Sequence, residues 1–278
     1  MDSIFDDHMH LRADGFFLDA ARKFRRAGGT AFNLVNLPDY SIGPARYYET
    51  LYARTIGLAE TVRRELNICS LVTIGPYPLD YFYFEKAGYD PWIMMTDGIS
   101  LAGKIISEGR ADAIGEIGRP HFPVGQNVVD QCNAMIELAL GIAKDCDSAV
   151  VLHTEDLGSV ALENLGKMCD RSGIERERVI KHHARPDNLG VISGLSASIL
   201  ASRSNIREAL KLTLEFMLET DYVDDPSKPD KVIPVDSVPK RAIMIKGEYD
   251  NWEEIFQKIF VDVPLRAYRR ESFLCNEK

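Results

Sequence analysis

The stretch Asp6-Asp7-His8-Met9-His10 stands near the start of the chain. Side chains alternate along a strand, so Asp6, His8 and His10 are expected on one face and Asp7 and Met9 on the other. Two imidazoles at that spacing, at a strand end, can close on one divalent cation at about 2.0–2.1 Å each. Asp6, one layer deeper, would orient His8 or reach the ion itself. Alone, such a pair is equally compatible with a structural role.

Further groups of the same chemistry follow. Glu116 lies within the apolar run Ala113-Ile114-Gly115-Glu116-Ile117-Gly118, where a carboxylate is costly unless paired or ligated. His153 closes Val150-Val151-Leu152, His182 and His183 close Val179-Ile180-Lys181, and Asp221 closes Phe216–Thr220. The chain has six histidines, and five of them fall at such run ends, which argues for a shared site over isolated structural histidines. Divalent cations acidify water and polarise an electrophile, and a carboxylate beside them can accept the proton. On the sixth run two readings stand: with Ile180 facing inward His182 is the ligand, and with Lys181 inward it is His183.

Eight short apolar runs alternate with helical patterns. The predicted strands are Ile4–His10, Thr30–Leu37, Ile68–Ile74, Ala113–Gly118, Ala149–His153, Val179–His182, Ile192–Ile199 and Glu215–Asp221. Helices are predicted over Gly15–Ala27, Tyr47–Leu66, Trp92–Glu108, Asn127–Asp145, Gly158–Ser172, Asn205–Lys211, Val238–Lys246 and Trp252–Phe260. Such alternation implies parallel pairing through right-handed crossovers. Eight units favour a (β/α)8 TIM barrel, a parallel eight-stranded barrel with outer helices. The first strand ends in His8-Met9-His10 rather than the glycine-rich turn of an open nucleotide-binding sheet. Strand ends converge on one rim of a barrel, which is where its chemistry sits. The reading is one domain over 1–270 and a C-terminal tail over 271–278, where the pattern fades.

Composition narrows the partners. With 33 basic and 42 acidic residues the formal charge is −9, which excludes an extensive nucleic-acid surface. Cys69, Cys132, Cys146, Cys169 and Cys275 show no CxxC spacing and are read as thiols in a reducing compartment. An acidic N-terminus and the lack of a long apolar run point to a cytoplasmic protein away from membranes. Tyr77–Phe84, rich in aromatic residues, is read as a packed loop, with a substrate wall or a contact in a homo-oligomer as alternatives. Asp224–Pro239 is read as a loop over the mouth.

In this order, Asp6-Asp7-His8-Met9-His10, Gly115-Glu116-Ile117-Gly118, His153-Thr154-Glu155, Lys181-His182 and Glu219-Thr220-Asp221 resemble the TatD-like branch of the metal-dependent amidohydrolase superfamily. The resemblance runs from the first strand to the eighth. It implies a barrel with one or two divalent metal ions, for which His and carboxylate ligands suit Zn, Mn, Fe or Ni. It implies that His8 and His10 hold one ion, that Glu116 bridges, and that His153 and His182 hold a second. Asp221 would bind metal and take the proton of the attacking water. A phosphoester of small-molecule or nucleotide type is the implied substrate, with an amide, lactone or ester as the alternative. Two departures mark a divergent subgroup. Arg119-Pro120-His121 replaces a common Leu-Asp after the glutamate motif, and Glu155 stands where an arginine is common. Losing that cation weakens a grip on DNA phosphates, leaving Arg119, Lys181 or Arg185 as substitutes.

Overall fold

A computed structural model describes residues 3–227 and 233–274. The predicted runs form strands β1 (Phe5–His10), β2 (Ala31–Val35), β3 (Cys69–Ile74), β4 (Ala113–Gly118), β5 (Ala149–His153), β6 (Val179–Lys181) and β7 (Ser196–Leu200). The eighth run is split into β8 (Met217–Glu219) and β9 (Tyr222–Val223). All pairings are parallel, in the order β8-β7-β6-β5-β4-β3-β2-β1-β9. The two outermost members are consecutive pieces of one strand: β8 pairs with β7, and β9 pairs with β1. The sheet therefore closes on itself, and the fold is a (β/α)8 barrel.

Around it lie α1 (Leu18–Arg26), α2 (Tyr47–Leu66), α3 (Asp80–Lys86), α4 (Pro91–Ser107), α5 (Gln126–Asp145), α6 (Ser159–Ser172) and α7 (Arg203–Ala209). The last three are α8 (Ser237–Glu248), α9 (Trp252–Gln257) and α10 (Val263–Tyr268). Between β6 and β7 a 3₁₀ turn, Pro186–Val191, replaces a full helix. Strand alternation sorts the core. Val72, Ile114, Val150 and Val179 pack with the helix residues Ile99 and Ile136, whereas Leu71, Ala113, Val151 and Ile180 belong to a second buried cluster with Phe5. Tyr268 and Phe273 close that second cluster against Phe5, with ring centroids at 6.2 and 4.9 Å. Among the described residues no helix is long and apolar enough to cross a membrane.

Several expectations need correction. Tyr77–Phe84 is no loop throughout: α3 begins at Asp80, and Phe84 is fully buried because helical spacing turns it inward. The last helix does not stop at Phe260 but continues through a wide turn, Lys258–Asp262, into α10. Phe273, inside the segment read as a tail, is fully buried. Cys132, Cys146 and Cys169 are free thiols, but Cys69 is disulfide-bonded, against the expectation of thiols alone. Cys275 lies outside the described residues, as do 228–232 of the expected mouth loop.

Candidate metal centre

Two bulges aim the first ligands. Between Asp6 and Met9 the register of β1 advances three residues while β2 advances two, from Phe32 to Leu34. Strict alternation would keep Phe5 and Met9 on one face, yet the two fall in separate buried clusters. The extra residue lets Asp7 and His8 both turn inward. This corrects the expected face of Asp6 and Asp7. Asp7 accepts from the Tyr268 hydroxyl at 2.8 Å. Asp6 accepts from the backbone N–H of Thr220 at 3.0 Å and of His8 at 3.2 Å, so it fixes the His8 main chain and not its ring. Burial pushes the Asp6 carboxyl up to about 8 despite those donors.

On β4 the second bulge falls at Glu116. Gly115 stands opposite Val151 and Ile117 opposite Leu152, so Glu116 has no counterpart on β5. The flanking glycines are required by close approach: a Cβ on Gly118 would sit 1.7 Å from the His153 carbonyl oxygen, and one on Gly115 would sit 2.7 Å from that of Val151. Such contacts exclude any side chain.

The carboxylate of Glu116 meets three imidazoles. Its Oε1 lies 3.0 Å from His182 Nε2, 3.2 Å from His8 Nε2 and 3.4 Å from His153 Nδ1. His8 and His10 approach through their Nε2 atoms at 3.3 Å, and His153 Nδ1 stands 3.0 Å from His182 Nε2. The rings of His8 and His182 stack at 4.2 Å. His10 Nδ1 meets the Val35 carbonyl at 3.0 Å, which turns Nε2 inward. Asp221 Oδ1 completes the group, 3.6 Å from His10 Nε2. It sits at the break between β8 and β9 with φ 47°, and its N–H donates to the His8 carbonyl at 2.9 Å. Three ligand triads result: His8–His10–Glu116, Glu116–His153–His182 and His8–His182–Asp221, each with donor atoms within 4.8 Å of one another.

All six sequence-predicted residues therefore converge. His182, not His183, reaches Glu116; the His183 side chain is half exposed and its Nδ1 stays 4.0 Å from Asp221. Burial opposes ionisation of Glu116, but His8 and His182 hold it well below the usual carboxylate range. Burial alone would depress His182; Glu219 and Glu116 overcome it and push the imidazole up to about 10. His8, buried and beside a charged His182, is held below its ordinary value. Burial opposes ionisation of Asp221 too, but its contact with His10, joined by the charges of His182 and His8, holds it low.

Some neighbours carried no decisive signal in the sequence. Tyr77 Oη and His121 Nδ1 each lie 3.4 Å from His153 Nε2, on the far side from Glu116. Glu219 accepts from the His183 N–H at 2.8 Å and flanks His182. A chamber of about 770 Å³ opens above the histidines, lined by His121, His153, His182, Glu155, Asp187 and Glu208 among others. That volume suits a small molecule.

Residues 5–269 match the profile of the family described as TatD related DNase. The uncharacterized protein MJ1127 of Methanocaldococcus jannaschii is 29% identical over 273 residues, 95% of each chain. The TatD homolog YJJV of Escherichia coli superposes with a TM-score of 0.65 at 16% identity, covering 96% of this chain and 98% of that one. The phosphotriesterase homology protein of Escherichia coli gives 0.67 at 13%, covering 96% and 100%. An organophosphorus hydrolase from Deinococcus radiodurans gives 0.61 at 12%, covering 95% and 92%.

Proposed function

Because this chain belongs to the TatD-related DNase family and is a hydrolase, we propose that it cleaves phosphoesters with one or two divalent cations. The ions would be held by His8, His10, Glu116, His153, His182 and Asp221, in one catalytic domain that reaches past 270 to include the buried Phe273 and works in the cytoplasm. The observation that carries this reading is the single Glu116 oxygen within 3.4 Å of three imidazole nitrogens. Buried imidazoles facing each other nitrogen to nitrogen are costly unless a cation or proton lies between them. The donor set is nitrogen and oxygen only, which suits Zn, Mn, Fe or Ni.

Bound there, divalent cations supply Lewis acidity, acidifying water and polarising a phosphoryl or carbonyl oxygen. Glu116 belongs to two of the triads, so its ionised carboxylate would hold them together and offset their charge. Asp221 would accept the proton of the attacking water and return it to the leaving oxygen. Glu219 would steady His182 from behind, and the chamber would hold the remainder of the substrate. Carboxylic ester, lactone or amide hydrolysis is the second reading. It is favoured by a chamber whose lining carries four carboxylates, Glu155, Asp156, Asp187 and Glu208.

Purified protein loaded with Mn²⁺ or Zn²⁺ is tested on bis-p-nitrophenyl phosphate and p-nitrophenyl acetate, with and without chelator. Metal-dependent cleavage of the phosphodiester supports the first reading, and cleavage of the acetate alone supports the second. Inertness toward both, with metal bound, overturns this assignment.

A further inference from the structure

The departures from the family pattern meet in space. Arg119 follows β4, and its Nε donates to Glu155 Oε2 at 3.1 Å while Nη1 donates to Asn133 at 2.9 Å. Its side chain is 11% exposed against 40% for Glu155, so the guanidinium lies behind the carboxylate that faces the chamber. The Arg119 N–H also donates to the His153 carbonyl at 2.9 Å, which keeps this pair beside the histidines.

The neighbouring cations are engaged as well. Arg185, on the chamber wall, is bidentate on Asp187 at 2.8 and 3.0 Å. Lys181 is buried with its ammonium on the His182 carbonyl at 2.7 Å. Beyond the metal-binding cluster, a phosphate with two negative charges entering this chamber meets four carboxylates, and the described arginines beside it, Arg119 and Arg185, are already ion-paired. The exposed Arg185–Asp187 pair opens at little cost, whereas the part-buried Arg119–Glu155 pair is the one that holds a guanidinium back.

Resting on the hydrolase reading above, we infer that Glu155 determines the charge preference of the chamber. By binding Arg119 it withholds that guanidinium from the substrate, so neutral and singly charged esters are accepted and dianionic phosphates are disfavoured. The substrate class is then a small ester or diester, not a terminal phosphomonoester. Removing the carboxylate of Glu155 leaves the Arg119 guanidinium with only the neutral Asn133 as partner, and its planar fork then suits a phosphate.

The test uses the full-length, metal-loaded protein and three p-nitrophenyl compounds differing in charge: the acetate, the bis-substituted phosphate and the monophosphate. Binding of inorganic phosphate is measured by calorimetry in parallel. In the wild type, kcat/KM for the monophosphate should fall at least tenfold below that for the diester. Glu155→Gln should raise the monophosphate-to-diester ratio at least tenfold and tighten phosphate binding by a similar factor. Glu155→Ala, which adds no volume, should act alike. Both gains should shrink with added salt and vanish when Arg119→Met is combined with Glu155→Gln. Unchanged phosphate affinity in both Glu155 variants, or a gain that survives Arg119→Met, overturns the proposal. If none of the three compounds is cleaved yet phosphate binding follows this pattern, the phosphoester reading fails and the charge gate stands.

Discussion

Glu219 Oε1 stands 3.5 Å from His182 Nδ1, while Glu116 Oε1 stands 3.0 Å from Nε2 of the same ring. One imidazole is thus held between two buried carboxylates. Groups that flank a metal-binding histidine typically change metal affinity 10–100-fold when altered. Glu219→Gln should therefore weaken divalent-ion binding by about that factor at high pH. The rise of affinity with pH, caused by release of the His182 proton, should also flatten in the variant, because one of the carboxylates holding that proton near 10 is gone. Calorimetry in metal buffers between pH 7 and 9 reads both. A purely structural Glu219 would shift the melting temperature and leave the pH dependence intact.

His8→Ala combined with His10→Ala should remove the ion of the β1 side. Metal analysis after purification should show the loss, with circular dichroism unchanged, because both residues sit at the rim end of β1. Full metal content in the double variant would show that these histidines hold nothing.

Glu116→Gln keeps the size of the side chain and removes its charge. With three imidazole nitrogens within 3.4 Å of Oε1, bound metal and turnover should fall together. Normal stoichiometry with normal turnover would exclude the bridging role.

Asp221→Asn keeps an oxygen donor but abolishes the base. Metal should stay largely bound while kcat falls by about two to four powers of ten, the usual worth of a positioned acid–base group. The acidic limb of the pH–rate profile should flatten as well. Near-normal turnover on a substrate that the wild type cleaves would dismiss Asp221 as proton acceptor.

A fifth expectation concerns stability. Asp80 accepts from Tyr48 Oη at 3.0 Å, Tyr47 Oη at 3.3 Å and the Tyr77 N–H at 3.0 Å, and burial raises its pKa to about 7. A carboxyl raised from its unfolded value of 3.8 contributes stability that is complete below that value and is lost as pH rises through 7. Asp80→Asn does not titrate. From pH 5 to pH 8 the stability difference should move in favour of the Asn variant by about 1–4 kcal/mol. Urea denaturation at the two pH values measures it, and a constant difference would contradict a raised Asp80.

Most of the barrel was legible because short, mainly apolar runs alternate with helical patterns, and those of β1, β4, β5 and β6 carry or precede a histidine or glutamate. The six candidate site residues stand out because each is a histidine or carboxylate that closes or interrupts an apolar run. The bulges were not visible. An extra residue at Asp7–His8 leaves the composition of the run unchanged and alters only the face each residue takes, which depends on the Leu34 register of β2. The choice between His182 and His183 needed the approach of His182 to Glu116 across the barrel. The split at Thr220 and Asp221 was hidden for a similar reason, since its cause is pairing of Tyr222 with Met9, more than two hundred residues away. Arg119 and Glu155 were noticed as unusual, but only folding makes them partners.

The split eighth strand also governs when the centre can exist. His8 and His10 leave the ribosome first, whereas Asp221 and the piece that seals β1 arrive near the end, followed by Tyr268 and Phe273 beneath the barrel. A nascent chain halted before β8 lacks both the seam and Asp221, so one of the three clusters cannot assemble however well its first strands have folded. The candidate centre is therefore assembled late in synthesis, from residues near both ends of the described chain.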